Sequence, residues 1–171
     1  MRVIGIDPGS TVTGYGILER DGASIRHIDS GIVAPKNGLS LPERLSHIFE
    51  KLSSLMEQHK PEALAIENLF VAKNARSSLI LGHARGVAIL AACRAGLTVS
   101  EYAPSEVKQA VAGTGRADKN QVQIMVKAIL RLAEVACEDA SDALAVAICH
   151  CNSAGLKEAL ARSKSSLVVS R

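Results

Sequence analysis

Four carboxylates occupy places where an ionised group is costly. Asp7 closes the apolar run Val3-Ile4-Gly5-Ile6, and Glu67 closes Ala63-Leu64-Ala65-Ile66. Asp139 and Asp142 stand three apart, just ahead of the apolar stretch from Ala143 to Cys149. An acid at the end of a buried strand loses hydration and needs a cation or hydrogen-bond donors close by. Three separate segments that carry acids in this way, in a chain of formal net charge +3, predict one negatively charged pocket. Oxygen ligands suit Mg²⁺, and paired Mg²⁺ ions are a common means of cutting phosphodiesters.

Each acid also has a plain structural reading. Asp7-Pro8-Gly9-Ser10 has the residue types of a turn. Glu67 can end its strand by facing water. Asp139 can cap a helix with Asp142 at the third helical position, where the helix dipole favours both. That last reading does not exclude function, because residues three apart share a helix face and can point together at a metal. The joint pattern favours the functional reading.

The elements that must position these acids follow from hydrophobic spacing. Val3–Ile6, Thr13–Leu18 and Ser24–Val33 read as three strands joined by tight turns, the second of them Asp21-Gly22. Leu41, Leu45, Ile48, Leu52, Leu55 and Met56 recur at helical intervals across 41–59. Ala63–Ile66 and Thr98–Tyr102 are further strands, separated by a helix over 75–95. Short helices follow Pro104 and Lys119, and a last helix covers Asp139 to about Asn152. The result is an α/β chain with a mixed five-stranded sheet and helices on both faces. Asp7 and Glu67 share one end of that sheet if their strands run parallel and adjacent, and the intervening helix supplies the crossover. One domain over 1–154 and a basic, fraying tail over 155–171 are expected.

Composition narrows the rest. The 171 residues suffice for one domain, and the core must be aliphatic because only Phe49, Phe70, Tyr15 and Tyr102 are aromatic. Four cysteines form no CxxC pair, and Cys149-His150-Cys151 lies on a helical run as buried or half-buried thiols, not as a zinc site. No signal peptide and no membrane span are expected, which places the protein in the cytoplasm. The 75–95 helix is apolar nearly all round, through Leu79, Ile80, Val87, Ile89, Leu90 and Cys93 with Gly82 and Gly86 between them. Such a helix is buried on more than one side, which predicts a partner about a two-fold axis.

The segments RVIGIDPGSTVTGYGIL, LAIENLF, the Lys108 and Lys119 region, and EDASDALAVAICH together resemble the bacterial Holliday-junction resolvase family RuvC. The likeness runs in order from Met1 to about Asn152. It implies an RNase H-like fold, a symmetric homodimer, and Mg²⁺-dependent nicking of two opposed strands of four-way junction DNA. The family's four acids map onto Asp7, Glu67, Asp139 and Asp142. They would hold two Mg²⁺ ions about 4 Å apart, with Mn²⁺ able to substitute.

The same likeness assigns Phe70 to stacking on a base near the junction centre, and Lys108 and Lys119 to the scissile backbone. The basic neighbours Lys73, Arg76 and Arg116 would add phosphate contacts. It also implies contact with a branch-migration motor complex. Three rivals stand beside this reading. The first is an RNase H-type nuclease acting on RNA–DNA hybrids, and the second a junction-binding protein without chemistry. The third is an actin-like or sugar-kinase ATPase, whose first phosphate loop Ile4–Ser10 resembles. That last class needs a second lobe for which 171 residues leave no room.

Overall fold

The computed structural model describes the backbone of residues 1–68 and 75–168, and side chains to residue 155 other than that of Arg76. Strands β1 (Arg2–Asp7), β2 (Thr13–Asp21) and β3 (Ser24–Val33) are followed by helix α1 (Leu41–His59) and strand β4 (Ala63–Glu67). Helix α2 (Ala75–Arg94) leads to β5 (Thr98–Tyr102), then α3 (Pro104–Ala112), α4 (Lys119–Leu130) and α5 (Glu138–Val168). The sheet order is β3-β2-β1-β4-β5, antiparallel in the meander and parallel from β1 through β4 to β5.

The period of two along each strand sorts side chains to two cores. Ile4, Ile6, Ile17, Leu64 and Ile66 meet α1 and α2, while Val3, Leu18 and Ala65 meet α3, α4 and α5. Because both faces are covered, β1 and β4 read as continuous apolar runs without alternation. The alternation still decides where their last residues point. Asp7 follows Val3 and Gly5 onto the α5 side, and Glu67 follows Ala63 and Ala65 onto the same side.

Helix α5 reaches that face at very short range. A methyl group on Gly14 would lie 2.0 Å from the Asp139 carbonyl oxygen, and one on Gly5 would lie 2.1 Å from that of Ala143. Gly5 and Gly16 pair across β1 and β2, and Gly14 pairs with Asp7. The three glycines therefore form a patch without side chains, on which the helix backbone rests directly at Gly5 and Gly14 while the Leu144 side chain packs on Gly16. Ala140, Ala143 and Ala147 complete the contact with their own small side chains, all buried.

Strand β2 runs on to Asp21 and does not end at Leu18, and both limits of α5 differ from expectation. Helix α5 does not stop near Asn152 but continues to Val168, through a segment whose Ala, Leu, Lys and Arg residues favour helix. It also begins at Glu138, so Asp139 is not its cap: it lies within the first turn, and the Ser141 amide donates to the Cys137 carbonyl. Cys149 and Cys151 are buried as expected, whereas Cys93 and Cys137 are exposed.

The glycine patch gives the first prediction. Gly14→Ala must push α5 away from β2 and should destabilise the fold by about 1–3 kcal/mol, the usual range for overpacking. Urea denaturation would measure it, and unchanged stability would show that the helix is not seated as described.

Candidate active site

Asp7 and Glu67 end adjacent parallel strands, one residue beyond the Ile6–Ile66 pair. Two local devices hold them. Thr13 is buried, and its hydroxyl donates to the Gly9 carbonyl at 2.6 Å, closing the Pro8–Val12 loop that leaves Asp7. The Asn68 amide donates to the Tyr102 carbonyl at 2.7 Å, extending β4–β5 pairing past Glu67. Above them, the start of α5 brings Asp142 into a cleft of about 270 Å³. Its lining includes Asp7, Glu67, Asp142, Lys108 and Lys119. Asp139 lies one turn earlier on α5, and its charge acts on both Asp7 and Asp142.

The electrostatics are those of a crowded acid cluster. Burial first, then repulsion from Asp142, Asp139 and Glu67, pushes Asp7 up to about 7, with Lys119 opposing. Burial and Asp142 also raise Glu67, against the pull of Lys108 and Lys119. Asp142 is raised chiefly by burial, although Lys119 donates to it and draws it down. Desolvation outweighs that ion pair because the Lys119 side chain is half exposed, so water screens its charge.

Lys119 is the cation already in place. Its ammonium lies 3.0 Å from Asp142 Oδ2 and also pairs with Glu138. Burial works to lower its affinity for the proton, but the bonds to Glu138 and Asp142 outweigh this and raise it. Its position is fixed by the start of α4, where Asp118 accepts from the Gln121 amide at 2.9 Å and Gln121 accepts from the Asp118 amide at 3.0 Å. Lys119 is thus the first residue of a capped helix.

The other basic candidates separate. Lys108 on α3 lines the cleft and acts on Glu67. Arg116 is exposed in the α3–α4 connection and is not part of the cleft lining. Phe70 and Lys73 lie outside the described residues, as does the side chain of Arg76, whose backbone belongs to α2.

Sequence reasoning missed three contributors. Gly5, Gly14 and Gly16 admit α5, Thr13 closes the loop after Asp7, and Arg85 reaches the Glu67 carbonyl from α2. The glycines carried a usable signal, since Gly14 and Gly16 share a face by period two. Thr13 and Arg85 carried none that distinguishes them from ordinary strand and helix residues.

The family model described as crossover junction endodeoxyribonuclease RuvC matches residues 3–150. The chain belongs to the RuvC family. A crossover junction endodeoxyribonuclease RuvC of Geobacter sp. (strain M21) is 56% identical over 160 residues, covering 94% of this chain and 98% of that one. The RuvC of Thermus thermophilus, solved in complex with Holliday junction substrate, superposes with a TM-score of 0.87 at 35% identity. That match covers 92% of this chain and 96% of the RuvC chain. The yeast mitochondrial Holliday junction resolvase shares the fold, with a TM-score of 0.63 at 14% identity over 91% of this chain and 82% of its own. The mixed five-stranded sheet is thus the RuvC architecture, and the chain spans nearly the full length of the Geobacter and Thermus thermophilus proteins.

The acid cluster predicts an inverted pH response. Asp7 ordinarily titrates at 3.8 and here at about 7. Between those values the folded chain keeps a proton that the unfolded chain has released, so stability falls as pH rises through this window. In chelator, Asp7→Asn should therefore melt above the wild-type chain at pH 8. The gap should close as pH falls towards 4. Thermal melts across this range would show it, and a variant no more stable than wild type at pH 8 would contradict the burial of Asp7.

Proposed function

We propose that this chain is a metal-dependent Holliday-junction resolving endonuclease, which nicks two opposed strands of four-way junction DNA by hydrolysis. The observation that carries the reading is the convergence of Asp7 and Glu67 with Asp142, on one cleft bordered by Lys108 and Lys119. As the side chains stand, no group of three or more His, Cys, Asp or Glu among the described residues is arranged to hold an ion. The chemistry of the donors fits one nonetheless. They are hard oxygens, they repel one another, and Mg²⁺ needs only one or two carboxylates besides water and substrate phosphate.

Asp7, Glu67, Asp139 and Asp142 are the residues that would hold two Mg²⁺ ions, or Mn²⁺ in their place. Bound there, the metal would activate a water and stabilise the departing oxygen. The water adds to phosphorus, the bond to the 3′ oxygen breaks, and the products are a 3′ hydroxyl and a 5′ phosphate. The chain's own residues prepare this exchange. The half-buried acids concentrate negative charge where cations are needed, and Lys108 and Lys119 set ammonium groups at the rim to take phosphate oxygens. Lys73, Arg76 and Arg116, as basic neighbours in the sequence, would add phosphate contacts. On the family resemblance Phe70, three residues beyond Glu67, would stack on an exposed junction base, worth about 1–3 kcal/mol.

A symmetric product requires two sites, and the outer surface of α2 supports a homodimer. Its buried side is a row of alanines, Ala84, Ala88, Ala91 and Ala92. On the outer side Leu79 is 66% and Leu90 53% exposed, with Gly82 and Gly86 open between them. We extend the family reading to a branch-migration motor as a further partner. No described helix is long and apolar enough to cross a membrane; a cytoplasmic location belongs to the same reading, because the DNA it would act on lies there.

Digestion of a synthetic four-way junction with Mg²⁺, beside a linear duplex and an RNA–DNA hybrid, tests the function. Paired nicks in the junction alone are expected, whereas preferential cutting of the hybrid would favour an RNase H-type activity. Asp7→Asn should bind the junction as tightly as wild type and cut it slower by two or more orders of magnitude, roughly the loss of a metal-assisted step. Near-normal cutting would remove Asp7 from the site. For the dimer, Leu90→Glu should sediment as a folded monomer at concentrations where wild type is dimeric. A variant that remains dimeric would move the interface elsewhere.

A further inference from the structure

Arg85 is the one described cation that connects α2 to the catalytic end of β4. Its Nε donates to the Glu67 main-chain carbonyl at 3.5 Å, at the long end of hydrogen bonding, while its other arm holds Glu101 of β5 at 2.7 Å. The side chain is only 16% exposed. Glu101 pairs with Ile66 across β4 and β5, so its carboxylate shares the α1 and α2 face and not the cleft. The guanidinium therefore spans two strand ends from behind the sheet, directly under the acid that faces the cleft.

From this geometry we propose that Arg85 is a positioning residue for Glu67. The Glu67–Asn68 peptide is the last of its strand: its N–H donates to the Tyr102 carbonyl at 2.7 Å, and its own carbonyl faces Arg85. A peptide held on its N–H side alone can still pivot about that bond, and the pivot swings the Glu67 carboxylate relative to Asp7. Arg85 fixes the carbonyl, Glu101 fixes Arg85, and the planar fork of the guanidinium suits this double task in a way that a lysine ammonium does not. Groups that orient a ligating carboxylate without touching the metal change metal affinity or activity by about 10–100-fold when removed. The inference deepens the proposed function, since it rests on Glu67 as a metal-holding acid.

Mn²⁺ binding by electron paramagnetic resonance tests it without any cutting assay. Arg85→Met should bind Mn²⁺ about tenfold more weakly than wild type, with its affinity for junction DNA in chelator unchanged. Arg85→Lys, which keeps the charge beside Glu101 but not the fork, should fold fully and fall between the two. Glu101→Gln should weaken binding less than Arg85→Met. Wild-type Mn²⁺ affinity in Arg85→Met would overturn the proposal. If that variant fails to fold, Arg85→Lys decides: weakened binding in a fully stable protein upholds positioning, and unaltered binding reduces Arg85 to a structural ion pair. Junction cutting by the wild-type chain is followed in parallel. Its failure, with Mn²⁺ bound, would remove the junction substrate and leave the Arg85 result standing, while failure to bind Mn²⁺ at all would sink both.

Discussion

The seating of α5 on the glycines of β1 and β2 sets how closely its acids approach those of the sheet. Side-chain packing would have held helix and sheet about a full residue layer apart, with Asp139 and Asp142 drawn back from Asp7. Contact through backbone and alanine methyls removes that layer. The cost lies in apolar burial that Gly5, Gly14 and Gly16 do not contribute, and in their greater freedom when unfolded. The offset comes from the long buried run of Leu144, Val146, Ile148, Cys149 and Cys151 further along the same helix. Stability is concentrated downstream on α5 so that its first turn can be placed for chemistry.

Placement creates a charge problem, and the sequence solves it only in part. The carboxylates raise one another, while Lys119 and Lys108 oppose them from the rim. Lys119 is itself awkwardly placed, because a cation at the first position of α4 faces the positive end of the helix dipole. Asp142 and Glu138 hold it there from a different helix. The cleft is therefore two mismatched ends, an acid-rich end of α5 and a cation-led start of α4, each stabilised by the other.

Much of this was readable from residues alone. The period of two puts Asp7 with Val3 and Gly5, and Glu67 with Ala63 and Ala65, so one face for both acids follows once the strands are parallel. Helix α1 was legible to the residue, because its apolar spacing and the Pro61 stop agree. The start of α5 was not, because acids in the first turn and an acid at the cap satisfy the same dipole, and only the backbone hydrogen bonds choose between them. Its end was misplaced because the polarity of the tail signals exposure, which a solvent-facing helix satisfies as well as a frayed coil. Arg85 was invisible for a different reason: its partners lie on strands 16 and 18 residues away in sequence, and nothing local marks a carbonyl as needing a donor.

The partition of the two cores has a further consequence. Odd positions of β1 and β4 serve the layer of α3, α4 and α5, where the cleft opens, while even positions serve the layer of α1 and α2. The exposed apolar face of α2 and the acid-lined cleft therefore occupy opposite sides of one five-stranded wall. Mutation can remodel either side with little steric penalty to the other, since no side chain of a strand belongs to both. That leaves such a scaffold free to change what it associates with while its hydrolytic apparatus stays as it was.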